Sequence, residues 1–280
     1  LSSCGKFEKF RKSASLPVKY KAAVDYYKKK DFDKASILFD EILPLMKGDS
    51  TQEMATYYQA YCDFNLGNYT VANAHFKKFY EVFSRSEYAE EAIYMSAYSL
   101  YKDSPNYNLD QTGTLSAINE LQSYLNNYPD TKYKDECTQM IKDLRKKLER
   151  KAYEKAKLYY KTSPFNIMSL KSSVIEIANF QKEFPDSDYS EEIAYLKVLA
   201  QYDLAESTIE SKQRERYGDA AKFYIELIDK YPSSAYLKLS EKMYDRSLKE
   251  VARLTALEAE QKALLEKERS NTSKVTTSPQ

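Results

Sequence analysis

The chain has 280 residues, with 43 Lys and Arg against 42 Asp and Glu and a formal net charge of +1. That balance gives no global field to draw in nucleic acid or an anionic surface, so charge here reads as solvated surface. Five glycines leave little room for a phosphate-cradling loop, a single histidine supplies no metal set or proton relay, and 27 Tyr and 12 Phe with no Trp form a bias that needs a structural reason.

The sequence opens Leu1-Ser2-Ser3-Cys4-Gly5. A Leu, two small residues and a Cys followed by Gly resemble the lipobox of bacterial lipoproteins, in which the peptide is cut before the Cys and that Cys becomes the acylated N-terminus. The resemblance makes Cys4 the lipidation site, a covalent lipid there the only non-protein group expected, and Gly5, in place of an Asp, a mark of delivery to the outer membrane. No other run approaches the ~20 apolar residues that a spanning helix needs. Residues 7–16 are short and basic and read as a tether, so 1–16 form a lipoprotein N-terminus ahead of the folded part.

From Pro17, placed as in the first turn of a helix, an aromatic pattern begins. Tyr20, Val24 and Tyr27 are spaced four and three, as one helix face requires. Tyr57, Tyr61 and Phe64 repeat them 37 residues on, and Tyr94, Tyr98 and Tyr101 after another 37. Looser copies follow at Tyr153, Lys157 and Tyr160 and at Tyr195, Leu199 and Tyr202. Each such helix precedes a second one bearing a small residue and then bulky ones: Ala35, Phe39, Ile42; Ala72, Phe76, Phe79; Ala117, Leu121, Tyr124; Ser173, Ile177, Phe180; Ala220, Tyr224, Leu227. The spacing predicts five helical hairpins.

The hairpins are joined by a recurring string, Tyr128-Pro129-Asp130-Thr131-Lys132-Tyr133, Phe184-Pro185-Asp186-Ser187-Asp188-Tyr189 and Tyr231-Pro232-Ser233-Ser234-Ala235-Tyr236, with a weaker copy at Phe83-Ser84-Arg85-Ser86-Glu87-Tyr88. Proline stops the preceding helix, and the Ser or Thr two residues later is suited to accept the orphan N–H groups of the next one. Longer polar stretches at 102–114, 161–172 and 207–218 are expected as loops on one edge. Residues 134–148 are amphipathic and run into the first helix of the fourth hairpin. A long helical pattern follows Tyr236, its first half expected to cap the last repeat, its charged second half readable as a coiled-coil arm, a partner-binding helix or a solvated helix. Residues 271–280 turn to Ser and Thr and are expected to be disordered.

Two helices per unit at a period in the thirties, with small residues at the crossings, resemble the tetratricopeptide repeat. Ala60, Gly67, Tyr69, Ala72 and Phe76 carry the likeness best; Lys47 and Ser84, where the family has its closing proline, depart from it. The expected fold is all-α, a tetratricopeptide-repeat superhelical solenoid of about five hairpins with a long C-terminal helix. Residues 17–130 would hold the N-terminal repeats, 131–250 the C-terminal repeats and capping helix, and 251–280 a charged extension. His75 reads as an exposed helix histidine, and Cys62 and Cys137 as buried thiols, a disulfide between them being the alternative.

Lipobox, repeats and C-terminal helix in that order resemble the BamD family of outer-membrane protein assembly factors, over about residues 4–250. The abundance of Tyr and Phe and the long Lys/Glu helix look like a Bacteroidetes-type member. The resemblance implies a lipid-anchored protein on the periplasmic face of the outer membrane. It implies as partners the POTRA domains of a BamA-like β-barrel, other subunits of that machinery, and the C-termini of unfolded outer-membrane proteins; the lack of a catalytic constellation in the sequence separately leads to the expectation of no enzyme activity. A periplasmic tetratricopeptide adaptor serving cell-envelope machinery is the competing reading.

The aromatic ladder itself has two readings. Tyr20, Tyr27, Tyr57, Tyr61, Phe64, Tyr94, Tyr98 and Tyr101 match positions that line the peptide-binding groove of tetratricopeptide proteins, and phenols suit a surface half wet and half apolar. The other reading is that these rings pack one hairpin on the next.

Overall fold

The computed structural model describes residues 2–13, 15–162 and 166–275, the side chains of 2–6, 13 and 270–275 excepted. Among the described residues there are twelve α-helices and no strand: α1 (Ser2–Ser13), α2 (Leu16–Lys28), α3 (Phe32–Ile42), α4 (Gln52–Asn65), α5 (Tyr69–Val82), α6 (Ala89–Asp103), α7 (Thr112–Asn127), α8 (Lys134–Lys161), α9 (Ile167–Glu183), α10 (Ser190–Glu206), α11 (Glu210–Lys230) and α12 (Leu237–Val275). From α2 on they pair as consecutive hairpins, α2/α3 to α10/α11, as in a tetratricopeptide-like solenoid. Small residues stand at the crossings: Ala35, Ala60, Ala72 and Ala117, with Ala23 and Ala97 at the positions equivalent to Ala60, are all buried, which lets the two backbones of each of the first three hairpins approach.

Tight turns inside the hairpins depend on one left-handed residue. Gly67, between α4 and α5, has φ +79° at no steric cost. Lys30 stands 37 residues earlier in the equivalent turn and is forced to φ +61°. A left-handed side-chain-bearing residue costs roughly 1–2 kcal/mol, partly offset by the extra backbone freedom of glycine in the unfolded chain. Lys30→Gly is therefore expected to stabilise the protein by up to about 1 kcal/mol, a small rise in urea midpoint; a drop would show that Lys30 contributes through its side chain.

The chain forms two compact units, Leu1–Leu148 and Glu149–Gln280, and the division falls within α8, 18 residues beyond the boundary expected at 130/131. The reason is that residues 134–148 complete the third hairpin: Cys137, Met140 and Leu144 are buried against Ala117, Leu121 and Tyr124. In the first unit a second cluster joins α2, α3 and α4 through Ala23, Leu38, Phe39, Ile42 and Ala55. In the second unit Tyr153 and Ala156 of α8 pack on Ile177 and Phe180 of α9 and on Ile193 and Ala200 of α10. Leu254 of α12 closes that unit's last hairpin against Tyr202, Tyr217 and Ala220.

Three expectations need correcting. Residues 2–13 are helical rather than a tether, because the stretch carries an apolar side: Phe7 is buried, 5.7 Å edge-on from the ring of Tyr26, and Arg11 pairs with Glu41 at 3.0 Å. The loop expected at 207–218 shrinks to the three residues between α10 and α11. Tyr217, buried 5.9 Å from Tyr202, fixes the early turns of α11 and carries helix through Gly218 despite the intrinsic cost of a mid-helix glycine. α12 runs on through 271–275, and 276–280 lie outside the described residues. Of the loop expected at 161–172, residues 163–165 also lie outside them, and Asn166 caps α9 by accepting the N–H groups of Met168 and Ser169.

Candidate functional site

The joints and the ladder turn out to be one device. In each of the four joints the predicted hydroxyl accepts the N–H of the tyrosine two residues on: Ser86 from Tyr88 at 3.0 Å, Thr131 from Tyr133 at 3.3 Å, Ser187 from Tyr189 at 3.0 Å and Ser234 from Tyr236 at 3.2 Å. This is a turn ahead of the helix rather than the N-cap expected, since Tyr88 and Tyr189 occupy the cap position themselves and no side chain caps the helices they open. In the first three of these joints the same hydroxyl donates to a glutamate in the first helix of the previous hairpin, Ser86 to Glu53 at 2.6 Å, Thr131 to Glu90 at 2.7 Å, and Ser187 to Glu149. Each of those glutamates stands four residues before a ladder tyrosine.

The joint tyrosine so placed lies over that ladder ring. Ring centroids are 4.8 Å apart for Tyr57 and Tyr88, 3.8 Å for Tyr94 and Tyr133, 4.0 Å for Tyr153 and Tyr189, and 4.5 Å for Tyr195 and Tyr236. A second glutamate, three residues after the joint tyrosine, takes the ladder phenol: Tyr57 donates to Glu91 at 2.7 Å and Tyr153 to Glu192 at 2.7 Å, while Glu136 holds Tyr94. Lys157, the ladder's one charged member, bridges Tyr153 and Glu192 at 2.7 and 2.8 Å.

The ladder residues therefore divide. Tyr57 and Tyr94, only 7% and 4% exposed, lie in the core, and both phenols are pushed well above the usual range, first by burial. The other six are half-buried. Tyr61 donates to Glu91 and meets Phe76 edge-on at 5.0 Å. Phe64 reaches Tyr98 of the next hairpin at 5.4 Å, and Tyr98 stacks on Tyr94 and Tyr101 at 5.9 and 6.0 Å. Tyr27 lies 4.5 Å from Tyr58, its phenol pushed up to about 12 by burial and by the neighbouring Cys62 and Tyr58. Among the described residues no ring stacks on Tyr20, and Thr51 stands where the next joint has Tyr88. Phe64, Tyr98 and Tyr101 thus form a continuous, half-buried aromatic seam along α4 and α6, with the Tyr101 hydroxyl donating to Asp143 of α8 at 3.4 Å.

Cys62 and Cys137 are free, buried thiols, each pushed up to about 12 by burial. His75 is half-buried rather than exposed, its Nδ1 2.8 Å from Oδ2 of the buried Asp63. Nothing of the Cys4 side chain is among the described residues. No helix among the described residues is long and apolar enough to cross a membrane.

Sequence reasoning missed the two sets of glutamates. Their signals are Tyr-x-x-Glu at 88–91, 133–136 and 189–192, and Glu-x-x-x-Tyr at 53–57, 90–94, 149–153 and 191–195. Charged positions on a helix are read as solvent-facing by default, and only the stacked joint ring turns these inward.

Fold and seam together define an all-α protein of repeated helical hairpins, a class that works by presenting surfaces to other proteins. The profile of the YfiO family, described as outer membrane lipoprotein, matches residues 14–167, more than half of the chain. The chain belongs to that family. No curated protein matches it.

Proposed function

We propose that the chain is a non-enzymatic lipoprotein scaffold of the machinery that assembles β-barrels into the outer membrane. The observation that carries this reading is the match to a family of outer membrane lipoproteins over residues 14–167, in a chain that also has a lipobox-like Leu1–Gly5. Acylated at Cys4, it works on the periplasmic face. Its repeats dock on the POTRA domains of a BamA-like barrel beside other subunits, and the Tyr-rich composition fits a Bacteroidetes-type member.

The half-buried rings Tyr20, Tyr27, Tyr61, Phe64, Tyr98 and Tyr101 are the surface that receives the C-terminal segment of an unfolded barrel. Such a segment alternates aromatic and aliphatic side chains in an extended backbone. A seam of phenols and a phenyl ring offers apolar contact to the side chains and hydroxyl edges to the backbone amides. In this reading Tyr57 and Tyr94 hold the seam's geometry and touch no peptide.

Photo-crosslinking tests it. Replacing Phe64, Tyr98 and Tyr101 with Ser is expected to lower crosslinking to a barrel C-terminal peptide by about tenfold or more, a loss of roughly 1.4 kcal/mol or more in binding, with the helical circular-dichroism signal retained. Undiminished crosslinking by the folded variant would remove the seam from the substrate path.

A further inference from the structure

The near-neutral total charge hides an uneven distribution. The first 34 residues hold ten Lys and Arg against four Asp and Glu, while the rest of the chain holds 33 against 38. We propose that one end of the first hairpin, through Lys28, Lys29 and Lys30, seats on an anionic phospholipid bilayer. The choice of a membrane as occupant rests on the reading of Cys4 as the acylated residue.

Three contacts fix how α1 lies. Phe7 meets Tyr26, near the C-terminal end of α2, at 5.7 Å. Arg11, one turn after Phe7, and Lys19, in the first turn of α2, both reach Glu41 of α3, at 3.0 and 2.8 Å. α1 and α2 are therefore antiparallel, and the start of α1 lies level with the end of α2. Along the helix axis Cys4 stands only about 4.5 Å before Phe7, so an acyl chain on Cys4 would bring the membrane to the α2/α3 turn.

Uncompensated charge collects at that turn. Lys28, Lys29 and Lys30 are consecutive and exposed, and among the described residues none of them has a carboxylate within ion-pair distance. Asp31, the next residue, is taken by Lys34. The exposed Asp25 and Asp33 stand back from the tip, in the last turns of α2 and the first turn of α3, and long lysine stems let the ammonium groups reach beyond both. At the other end of the hairpin the positive charge is already spent, since Glu41 holds Arg11 and Lys19 together.

Lys30 supplies an independent sign. It bears φ +61° where the equivalent turn of the next hairpin uses Gly67. A strained residue that the fold would do better without points to a role outside the fold. One acyl chain gives only marginal, reversible attachment, and a basic surface is the usual second signal. Each lysine within a Debye length of an anionic surface adds about fivefold to binding, and the cluster sets which end of the first hairpin faces the membrane. An acidic protein would take the same charge, but a membrane is what the chain's own anchor delivers to this spot.

The test uses the full chain, produced without acylation and alkylated at Cys4 with a maleimide carrying one myristoyl chain; Cys62 and Cys137 are buried thiols and stay unmodified. This supplies the anchor whatever the cell does, so failure of the acylation reading, which shows in the fractionation of Cys4→Ser, is distinguishable from failure of this proposal. Binding to vesicles of equal phosphatidylglycerol and phosphatidylcholine is expected to be about a hundredfold tighter than to phosphatidylcholine alone, the gain shrinking at high salt. Lys30→Gly should cost about fivefold of that gain while raising the urea midpoint, a loss that unfolding cannot produce. Lys28→Gln, Lys29→Gln and Lys30→Gly together should remove most of it, whereas Lys142→Gln, Arg145→Gln and Lys146→Gln, an equal loss of charge on α8, should leave it intact. Equal binding to the two kinds of vesicle, an undiminished gain in the first triple variant, or equal losses in both triple variants, as for an acidic-protein site or a mere net-charge effect, would each overturn the proposal.

Discussion

Replacing Tyr57 with Ala is expected to destabilise the first unit by about 3–5 kcal/mol, the range for truncating a buried ring, and to lower its unfolding midpoint by roughly 6–20 °C. The size follows from what the ring touches. Tyr57 sits within 5.4 Å of Phe79, 5.0 Å of Tyr61 and 4.8 Å of Tyr88, and its hydroxyl reaches Glu91 at 2.7 Å. Each such ring pair adds about 0.5–1.5 kcal/mol beyond burial. Tyr57→Phe isolates the hydroxyl and should cost about 1.5–3 kcal/mol, because the acceptor is charged. Tyr20→Ala, at the equivalent position of a hairpin without a joint tyrosine, should cost clearly less. Thermal unfolding of the three variants measures this directly, and equal losses at Tyr20 and Tyr57 would contradict the stacked-joint account.

Replacing Cys4 with Ser should have the largest effect on location. Each buried acyl methylene is worth about 0.8 kcal/mol, so one chain of about a dozen contributes on the order of 10 kcal/mol to membrane attachment. None of the described helices can substitute as a span. The variant should move from the detergent-extracted outer-membrane fraction to the soluble periplasmic one. If it stays with membranes at high salt, after removal of the BamA-like partner, something other than the lipid holds it.

The repeat was legible because helix periodicity and helix stops are local. The 37-residue step from Tyr20 to Tyr57 to Tyr94, the small residues at Ala23, Ala60 and Ala97, and the prolines at 129, 185 and 232 each constrain only the turn around them, and the hairpins form where those constraints fall. What was not legible depends on residues brought together across more than 30 positions. Part of whether a ladder ring is core or surface comes from the joint tyrosine of the next hairpin, which lies over the buried Tyr57, Tyr94 and Tyr153 but leaves Tyr195 half-buried beneath Tyr236. Tyr57 and Tyr94 are buried because Tyr88 and Tyr133 lie over them, while Tyr20 stays half-buried because Thr51 is too small to do the same. Glu91 and Glu192 were read as helix-surface charge for the same reason. α8 is one unbroken helix, and no composition change marks where it stops serving the first unit. Gly218 looked like a turn, yet Tyr217 and Ala220, both buried, carry helix through it.

The central claim is that this family member is a membrane-held scaffold for β-barrel assembly. Purifying the protein from detergent-extracted outer membranes and identifying what comes with it tests that claim most directly. The expected result is a large β-barrel protein with periplasmic repeat domains, present in near-stoichiometric amount. Recovery of cell-wall or division proteins instead, with no such barrel, would contradict it.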